Sequence, residues 1–175
     1  PQYSKLAERL LAALVDKEVR ALGVQSFSQS IAVGVELGLI GDRVATFVTQ
    51  NARKLDDAVA AERDQLFEFF GMRTLYDRYL LRHPTERDVL ESAQYFFMRI
   101  ACALSTSVAE AIELYALFSS LEYLPSSPTL FNAGTRHEQL SSCFLLDSPQ
   151  DHLTDIYQRY ADVAQLSKFS GGIGL

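Results

Sequence analysis

Cysteine is scarce in this sequence: Cys102 and Cys143 are the two present among 175 residues. Two thiols cannot staple a disulfide-rich scaffold, and they cannot complete a zinc site without other ligands. Positive charge is in deficit. Lys plus Arg amounts to 16 against 22 for Asp plus Glu, a net charge of −6. That excludes the basic surface a non-specific binder of nucleic-acid polymers needs. It leaves room for a small anionic ligand, because a local site can differ in sign from the whole. No apolar run is long enough to span a bilayer. No secretory leader is expected at the start, since Asp16, Lys17 and Glu18 interrupt the first apolar stretch. A cytoplasmic, reducing setting is the resulting expectation. Internal repeats and low-complexity tracts are also missing.

What is present describes a folded protein. Hydrophobic residues make up 48% and charged residues 22%, a globular rather than a disordered composition. A chain of this size buries roughly 70% of its unfolded surface, enough for one domain, or one domain and part of another.

Helical periodicity dominates as far as residue 122. Leu6, Leu10, Leu11, Leu14 and Val15 recur at helical spacing between Lys5, Glu8, Arg9 and Lys17. Ser4 is the expected N-cap, and the stripe is expected to pack into the core. Gly23 breaks the pattern. Ile31, Val33, Val35 and Leu37 continue a second register, ended by Gly38 and Gly41. Helices are expected from Arg43 to Ala52 and from Lys54 to Phe70, the latter with a solvated face of Asp56, Asp57, Glu62, Arg63 and Asp64. Thr74–Leu81 suits helix or strand, and Pro84 enforces a polar turn from His83 to Asp88. Ser92–Leu104 is a strongly apolar helix in which Cys102 is expected as a small buried core residue. Val108–Leu121 follows, with Glu110 and Glu113 near the end that the helix dipole makes favourable for negative charge.

After Glu122 the texture changes. Leu124–Thr129 reads as irregular, Asn132-Ala133-Gly134-Thr135 as a turn, and Leu140–Leu146 as a short strand. Ser148-Pro149-Gln150-Asp151 leads into a helix from His152 to Ser167, whose apolar face is Leu153, Ile156, Tyr157, Tyr160 and Val163. Ser170-Gly171-Gly172-Ile173-Gly174-Leu175 makes a glycine-rich turn into another apolar segment. Strand, helix and glycine turn open a βαβ unit, and the second strand is expected to begin just where the sequence stops, as if cut inside a sheet.

Taken singly, the residues with chemical potential have structural readings. A reactive thiol needs access and a thiolate-favouring environment, and no histidine stands at a recognisable catalytic spacing from Cys143. His137 is expected in an exposed turn. The glycine run can cradle a phosphate with its backbone N–H groups. It is neither a P-loop, lacking Gly-Lys-Ser/Thr, nor a dinucleotide fingerprint, whose spacing differs. Asp151 reads as an N-cap and Lys168 as a cation suited to a helix C-terminus.

Three blocks together carry more. Ser127-Pro128-Thr129-Leu130-Phe131-Asn132-Ala133-Gly134-Thr135, Gln139-Leu140-Ser141-Ser142-Cys143-Phe144-Leu145 and Ser167-Lys168-Phe169-Ser170-Gly171-Gly172-Ile173-Gly174 resemble, in order and spacing, the large catalytic subunit of class I ribonucleotide reductase. Tyr76-Asp77-Arg78-Tyr79, Phe97-Met98-Arg99-Ile100-Ala101 and the opening Tyr3-Ser4-Lys5-Leu6 are similar to the same family. The resemblance thus covers nearly the whole chain and is most specific from Ser126 to Leu175. It implies a mainly α fold: a helical N-terminal domain, residues 1–122, then at 123–175 the first β-α unit of a ten-stranded α/β barrel, incomplete in this chain.

The resemblance also implies a reaction, reduction of the 2′-OH of ribonucleoside diphosphates by radical chemistry. A thiyl radical abstracts the substrate 3′-hydrogen, and two further cysteines supply the reducing equivalents and become a disulfide. Cys143 matches the first of that pair and is the implied catalytic residue, donating hydrogen to C2′. Ser127, Ser142 and Gly172 match substrate-binding positions, the glycine near the diphosphate. Asp151, His152, Leu153 and Lys168 match the segment that binds the dNTP specificity effector at the interface with a second large subunit. No metal is implied in this chain, and no cofactor bound to it directly. The radical is supplied by a metal-containing small subunit, dNTPs and ATP are effectors, and thioredoxin or glutaredoxin is the reductant.

The departures are equally specific. The thiyl-radical cysteine, the second redox cysteine, the proton-handling Asn and Glu and the C-terminal cysteines would lie beyond Leu175, and the ATP-binding cone would precede residue 1. The chain is therefore expected to be inactive alone and to need the remainder of the large subunit, either as the second half of a split subunit or as continuous chain. Two other readings stand beside this one: a class II, adenosylcobalamin-dependent reductase, and a non-catalytic helical interaction module. The Thr129–Gly134 and Ser141–Leu145 blocks look more like class I, and the retained Ser-Ser-Cys and ligand-like segments oppose the module.

Overall fold

Serine side chains set the starts of three helices in the computed structural model, which describes residues 2–169 and 171–174. Ser170 and Leu175, part of the glycine-rich ending, lie outside the described residues. Ser26 accepts from the amide of Gln29 at the head of α2 (Phe27–Glu36). Ser92 accepts from Tyr95 N–H at the head of α5 (Ala93–Leu104), and Ser107 from Glu110 N–H at the head of α6 (Val108–Ser119). Each such cap satisfies a donor that the first helical turn leaves unpaired and contributes about 1 kcal/mol. The Glu110 carboxylate reaches back to accept from Thr106 N–H at 2.7 Å, and that bond holds its carboxyl below the usual range.

Helix α5 is the centre of the core. Ten of its residues, Ala93, Gln94 and Phe96 through Ala103, are buried, as expected of a helix apolar on all sides. Phe96 and Phe97 pack edge to face at 5.2 Å, and Phe67 stacks on Phe97 at 6.1 Å. Cys102 is fully enclosed, and burial pushes its thiol up to about 12 against the opposing charge of Arg43. It is the inert core residue expected.

The first helix corrects the sequence reading. Helix α1 spans Gln2–Ala21, so Ser4 lies inside its first turn and is not the cap. Its hydroxyl donates instead to the Glu68 carboxylate at 2.8 Å, while Lys5 Nζ donates to the carbonyls of Gln65 and Phe67. These bonds dock α1 on the segment before α4 (Phe69–Arg78). The docking selects Leu11, Val15 and Val19 for burial and leaves Leu6, Leu10 and Leu14 at 57%, 65% and 46% exposure. The expected single stripe is two adjacent ones, of which one is covered.

Helix α3 runs unbroken over Asp42–Ala58 where two helices were expected, because nothing between Ala52 and Lys54 interrupts the backbone ladder. A 3-10 turn at Ala61–Leu66 separates it from α4. Two residues of the expected solvated face turn inward. Asp56 accepts from the amide and hydroxyl of Ser28 at 2.8 and 2.7 Å, and Asp64 accepts from Gln94 Nε2 at 2.7 Å. Thr74–Leu81 resolves as helix up to Arg78, and the polar turn that follows is closed by an antiparallel bridge between Arg82 and Val89.

Ser127–Asn132, of which the part up to Thr129 read as irregular and Asn132 as a turn residue, forms the short helix α7 with Pro128 in its first turn. The ring fixes φ at a helical value where no N–H partner is needed. Beyond it, strand β1 (Cys143–Leu145), helix α8 (Leu153–Lys168) and strand β2 (Gly172–Gly174) form a βαβ unit. The strands are parallel, with Cys143 beside Gly172, Phe144 beside Ile173 and Leu145 beside Gly174. The glycine run read as a turn is therefore itself the second strand. Among the described residues no helix is long and apolar enough to cross a membrane.

Candidate functional site

The site begins with a charge in the wrong place. Arg99 lies in α5, the most deeply buried helix among the described residues, and is itself fully buried. A guanidinium there must be paired. Its Nε and one terminal nitrogen donate to the two oxygens of Glu91, each at 2.9 Å, and its other terminal nitrogen donates to the carbonyl of Ala133. Glu91 also accepts from Leu81 N–H at 2.9 Å. The ion pair thus ties α5, the end of the Arg82–Val89 turn and the Asn-Ala-Gly block into one unit. Gly134 completes the junction: its φ is +81°, and a Cβ on it would meet Arg99 Cγ at 3.1 Å. Its carbonyl accepts from Gly41 N–H at 3.0 Å, and Arg136 N–H donates to Leu39 at 2.8 Å.

From this anchor, side chains reach forward to the strand. Thr129 Oγ1 donates to the Leu140 carbonyl at 3.2 Å, and Asn132 Nδ2 to the Gln139 carbonyl at 2.7 Å. Gln139 Nε2 donates in turn to Phe169 O at 2.9 Å and to Ser141 O at 3.3 Å. That fixes the approach to β1 relative to the end of α8. Gly172 N–H donates to Ser142 O at 2.6 Å.

Cys143, Ser142 and Gly172 are brought together by this scaffold. Cys143 is exposed, its Sγ lies 3.6 Å from Ser142 Oγ, and a Cβ on Gly172 would stand 3.7 Å from the sulfur. Absence of a side chain at residue 172 leaves the face of the thiol open. Gly171 is demanded by close approach, because a Cβ there would meet Leu166 O and the Phe144 ring at 2.9 Å. His137 is exposed as expected, its ring tilted 39° against Phe169 with centroids 4.7 Å apart.

The other expected positions fall elsewhere. Ser127 opens α7 and is exposed, its hydroxyl 3.1 Å from the phenol oxygen of Tyr79. Asp151 precedes α8 and is not its N-cap. His152 holds that position, with no side-chain bond, and the carboxylate that turns back is Asp155, accepting from Gln150 N–H at 2.6 Å. Leu153 and Lys168 are the first and last residues of a 16-residue helix, hence about 22 Å apart along its axis. The structure does not bring Asp151, His152 and Leu153 together with Lys168. Leu153, Tyr157 and Tyr160 on the expected apolar face are exposed, and no residue of α8 is buried. Among the described residues no group of three or more His, Cys, Asp or Glu side chains is arranged to hold a metal ion.

Glu91 is absent from the sequence reading, and Gln139 and Tyr79 stand there within family-like blocks but without a role of their own. For Glu91 a signal was available: an arginine inside a helix as apolar as Ser92–Leu104 requires a carboxylate partner.

Comparison with known proteins identifies both halves. The model of the ribonucleotide reductase all-alpha domain matches residues 65–138, and that of the ribonucleotide reductase barrel domain matches residues 141–175. A ribonucleoside-diphosphate reductase subunit alpha of Chlamydia trachomatis is 39% identical over 190 residues, covering 99% of this chain and 17% of that protein. The ribonucleoside-diphosphate reductase large subunit of Arabidopsis thaliana is 35% identical over 185 residues, covering 100% of this chain and 22% of that protein. The large chain 2 of the same enzyme in Saccharomyces cerevisiae is 35% identical, covering 100% and 21%. The chain therefore spans between 17% and 22% of the length of these three relatives.

Proposed function

The chain belongs to the ribonucleotide reductase family, and on that premise we propose that, within a complete large subunit, it supplies one reducing thiol and part of the nucleotide-binding surface for converting ribonucleoside diphosphates to deoxyribonucleoside diphosphates. The contrast between its two cysteines carries the proposal. Cys102 is sealed in the core, its thiol pushed up to about 12. Cys143 is exposed at a strand end with Ser142 and an open glycine beside its sulfur. A hydrogen donor must be accessible to be held at contact distance from the sugar, and of the two thiols Cys143 is the accessible one.

A thiyl radical elsewhere in the subunit takes the 3′-hydrogen and later returns it. The 2′-oxygen leaves as water, and C2′ gains a hydrogen. Two thiols, Cys143 and a second cysteine outside this chain, lose their hydrogens and become a disulfide. Ser127, Ser142 and Gly172 bind the substrate, the glycine allowing phosphate to approach the backbone. Residues 1–122 act as the supporting helical domain and 123–175 as the part that meets ligands. A metal-containing small subunit as radical source, thioredoxin or glutaredoxin as reductant, dNTPs and ATP as effectors, and a cytoplasmic setting complete the reading.

The length of α8 constrains how the proposed effector site is assembled. Asp151 and Lys168, at opposite ends of one helix, serve one nucleotide if two subunits pair their α8 helices antiparallel. The exposed Leu153, Tyr157 and Tyr160 supply an apolar face for such an isologous contact.

The decisive substitution is Cys143→Ser in the complete subunit assayed with its radical-generating partner. Reductive turnover should vanish while dNTP binding stays within about twofold of the parent, the pattern of a lost chemical group rather than a lost fold. Normal turnover by this variant refutes the redox role.

A further inference from the structure

We propose that Tyr79 is a positioning residue for the substrate subsite, holding the Ser127 hydroxyl in the orientation that donates to the nucleotide. The inference rests on the reading of Ser127 as a substrate-binding residue. It starts from the contact between the Tyr79 phenol and Ser127 Oγ, 3.1 Å apart across 48 residues of chain. Ser127 alone is an exposed hydroxyl free to rotate about its Cα–Cβ and C–O bonds, and a rotor of that kind is a poor ligand group until something fixes it.

Tyr79 is held on three sides. Its ring stacks on Phe131 of α7 at 4.4 Å with the planes 18° apart, and it meets Phe96 of the core helix edge-on at 6.3 Å. Its amide donates to Leu75 O at 2.9 Å, making it the C-cap of α4. The phenol oxygen therefore has little freedom to leave Ser127. When the phenol donates to Ser127 Oγ, the serine proton is released for an acceptor on the other side. A chain of hydroxyls so ordered polarises, and its terminal donor strengthens. The acceptor it suits is a phosphate oxygen of the nucleotide, which when ionised accepts hydrogen bonds and donates none.

The test uses the complete large subunit with its radical-generating partner. Tyr79→Phe keeps the ring, the Phe131 stack and the fold, and removes only the hydroxyl. It should raise KM for the ribonucleoside diphosphate about three- to tenfold, the worth of one hydrogen bond, with kcat within about twofold. Ser127→Ala should raise KM at least as much, and the double variant should match Ser127→Ala alone, because Tyr79 acts through that hydroxyl. If Ser127→Ala raises KM and Tyr79→Phe does not, or if the two effects multiply, the positioning role is overturned and the substrate role of Ser127 survives. If Ser127→Ala leaves KM unchanged, the substrate role fails and takes the positioning role with it.

Discussion

Asp64 illustrates how a single carboxyl can work against the fold that encloses it. Burial holds its pKa up at about 6, opposed by the Gln94 hydrogen bond and reinforced by the nearby charges of Asp16 and Glu8. A raised carboxyl binds its proton more tightly in the folded chain than in the unfolded one. Its ionisation above pH 6 is therefore a cost to stability, and that cost fades as the pH falls toward the unfolded value near 4. Asp64→Asn, which can still accept from Gln94, should raise the melting temperature at pH 8 and make little difference at pH 4. Equal shifts at both pH values would show that the charge is not the cause. The sequence grouped Asp64 with a solvated face because five charges stood close together. Which of them turned inward depended on Gln94 and Ser28, contributed by other helices. The caps failed for a related reason. Ser4 and Asp151 are good capping residues, but a cap works at one position only, and both helices begin one or more residues away from it. The burial of Cys102 was legible from the apolar helix around it, whereas the neighbours of Cys143 gave a structural reading and its proposed role came from the family resemblance.

Among the elements, α7 and the Gly134 turn matter most, since they carry the core outward to the strand bearing the thiol. Gly134→Ala would place a Cβ 3.1 Å from Arg99 Cγ at a φ of +81°. We expect it to cost more than about 1 kcal/mol, by strain in the left-handed region and by pressure on a closely packed side chain. Urea unfolding measures this directly, and a change below experimental error would mean that the junction gives way freely. Helix α7 was hidden in the sequence by its serines and proline, which suit a loop as well as a first helical turn. Periodicity did identify α1, α2, α5, α6 and α8. It did not say which side of α1 would be covered, because that follows from the docking of Ser4 and Lys5 onto residues 65–68, some sixty positions away.

At the scale of the molecule, the βαβ unit puts Cys143 and Gly172 on its paired strands, with Ser142 just before them, and the proposed effector group at the two ends of its helix. Antiparallel pairing of α8 between subunits makes each effector site a joint product of both. Asp151→Ala and Lys168→Ala homodimers should each lose dNTP control of substrate choice. Mixing them should restore part of it, because every mixed dimer then holds one site with both residues intact and one with neither. No recovery on mixing would place both residues of a site in one chain and remove the antiparallel arrangement. The parallel unit itself was legible from strand, helix and glycine run. The start of the second strand was misplaced because glycine weakens a strand on propensity grounds; close approach explains its use here, since a Cβ on Gly172 would stand 3.3 Å from Ser142 O and one on Gly174 3.3 Å from Leu145 Cδ1.

The Arg99–Glu91 pair has a consequence for how this sequence can change over time. Replacing either partner alone strands a charge in the core, at a cost of about 3–5 kcal/mol, and also releases Leu81 or Ala133 from its bond. A lineage can leave this arrangement only by altering both positions together, with fresh partners for the two backbone groups. The buried pair thus acts as a ratchet on sequence drift, binding the history of the helical core to that of the Asn-Ala-Gly segment it supports.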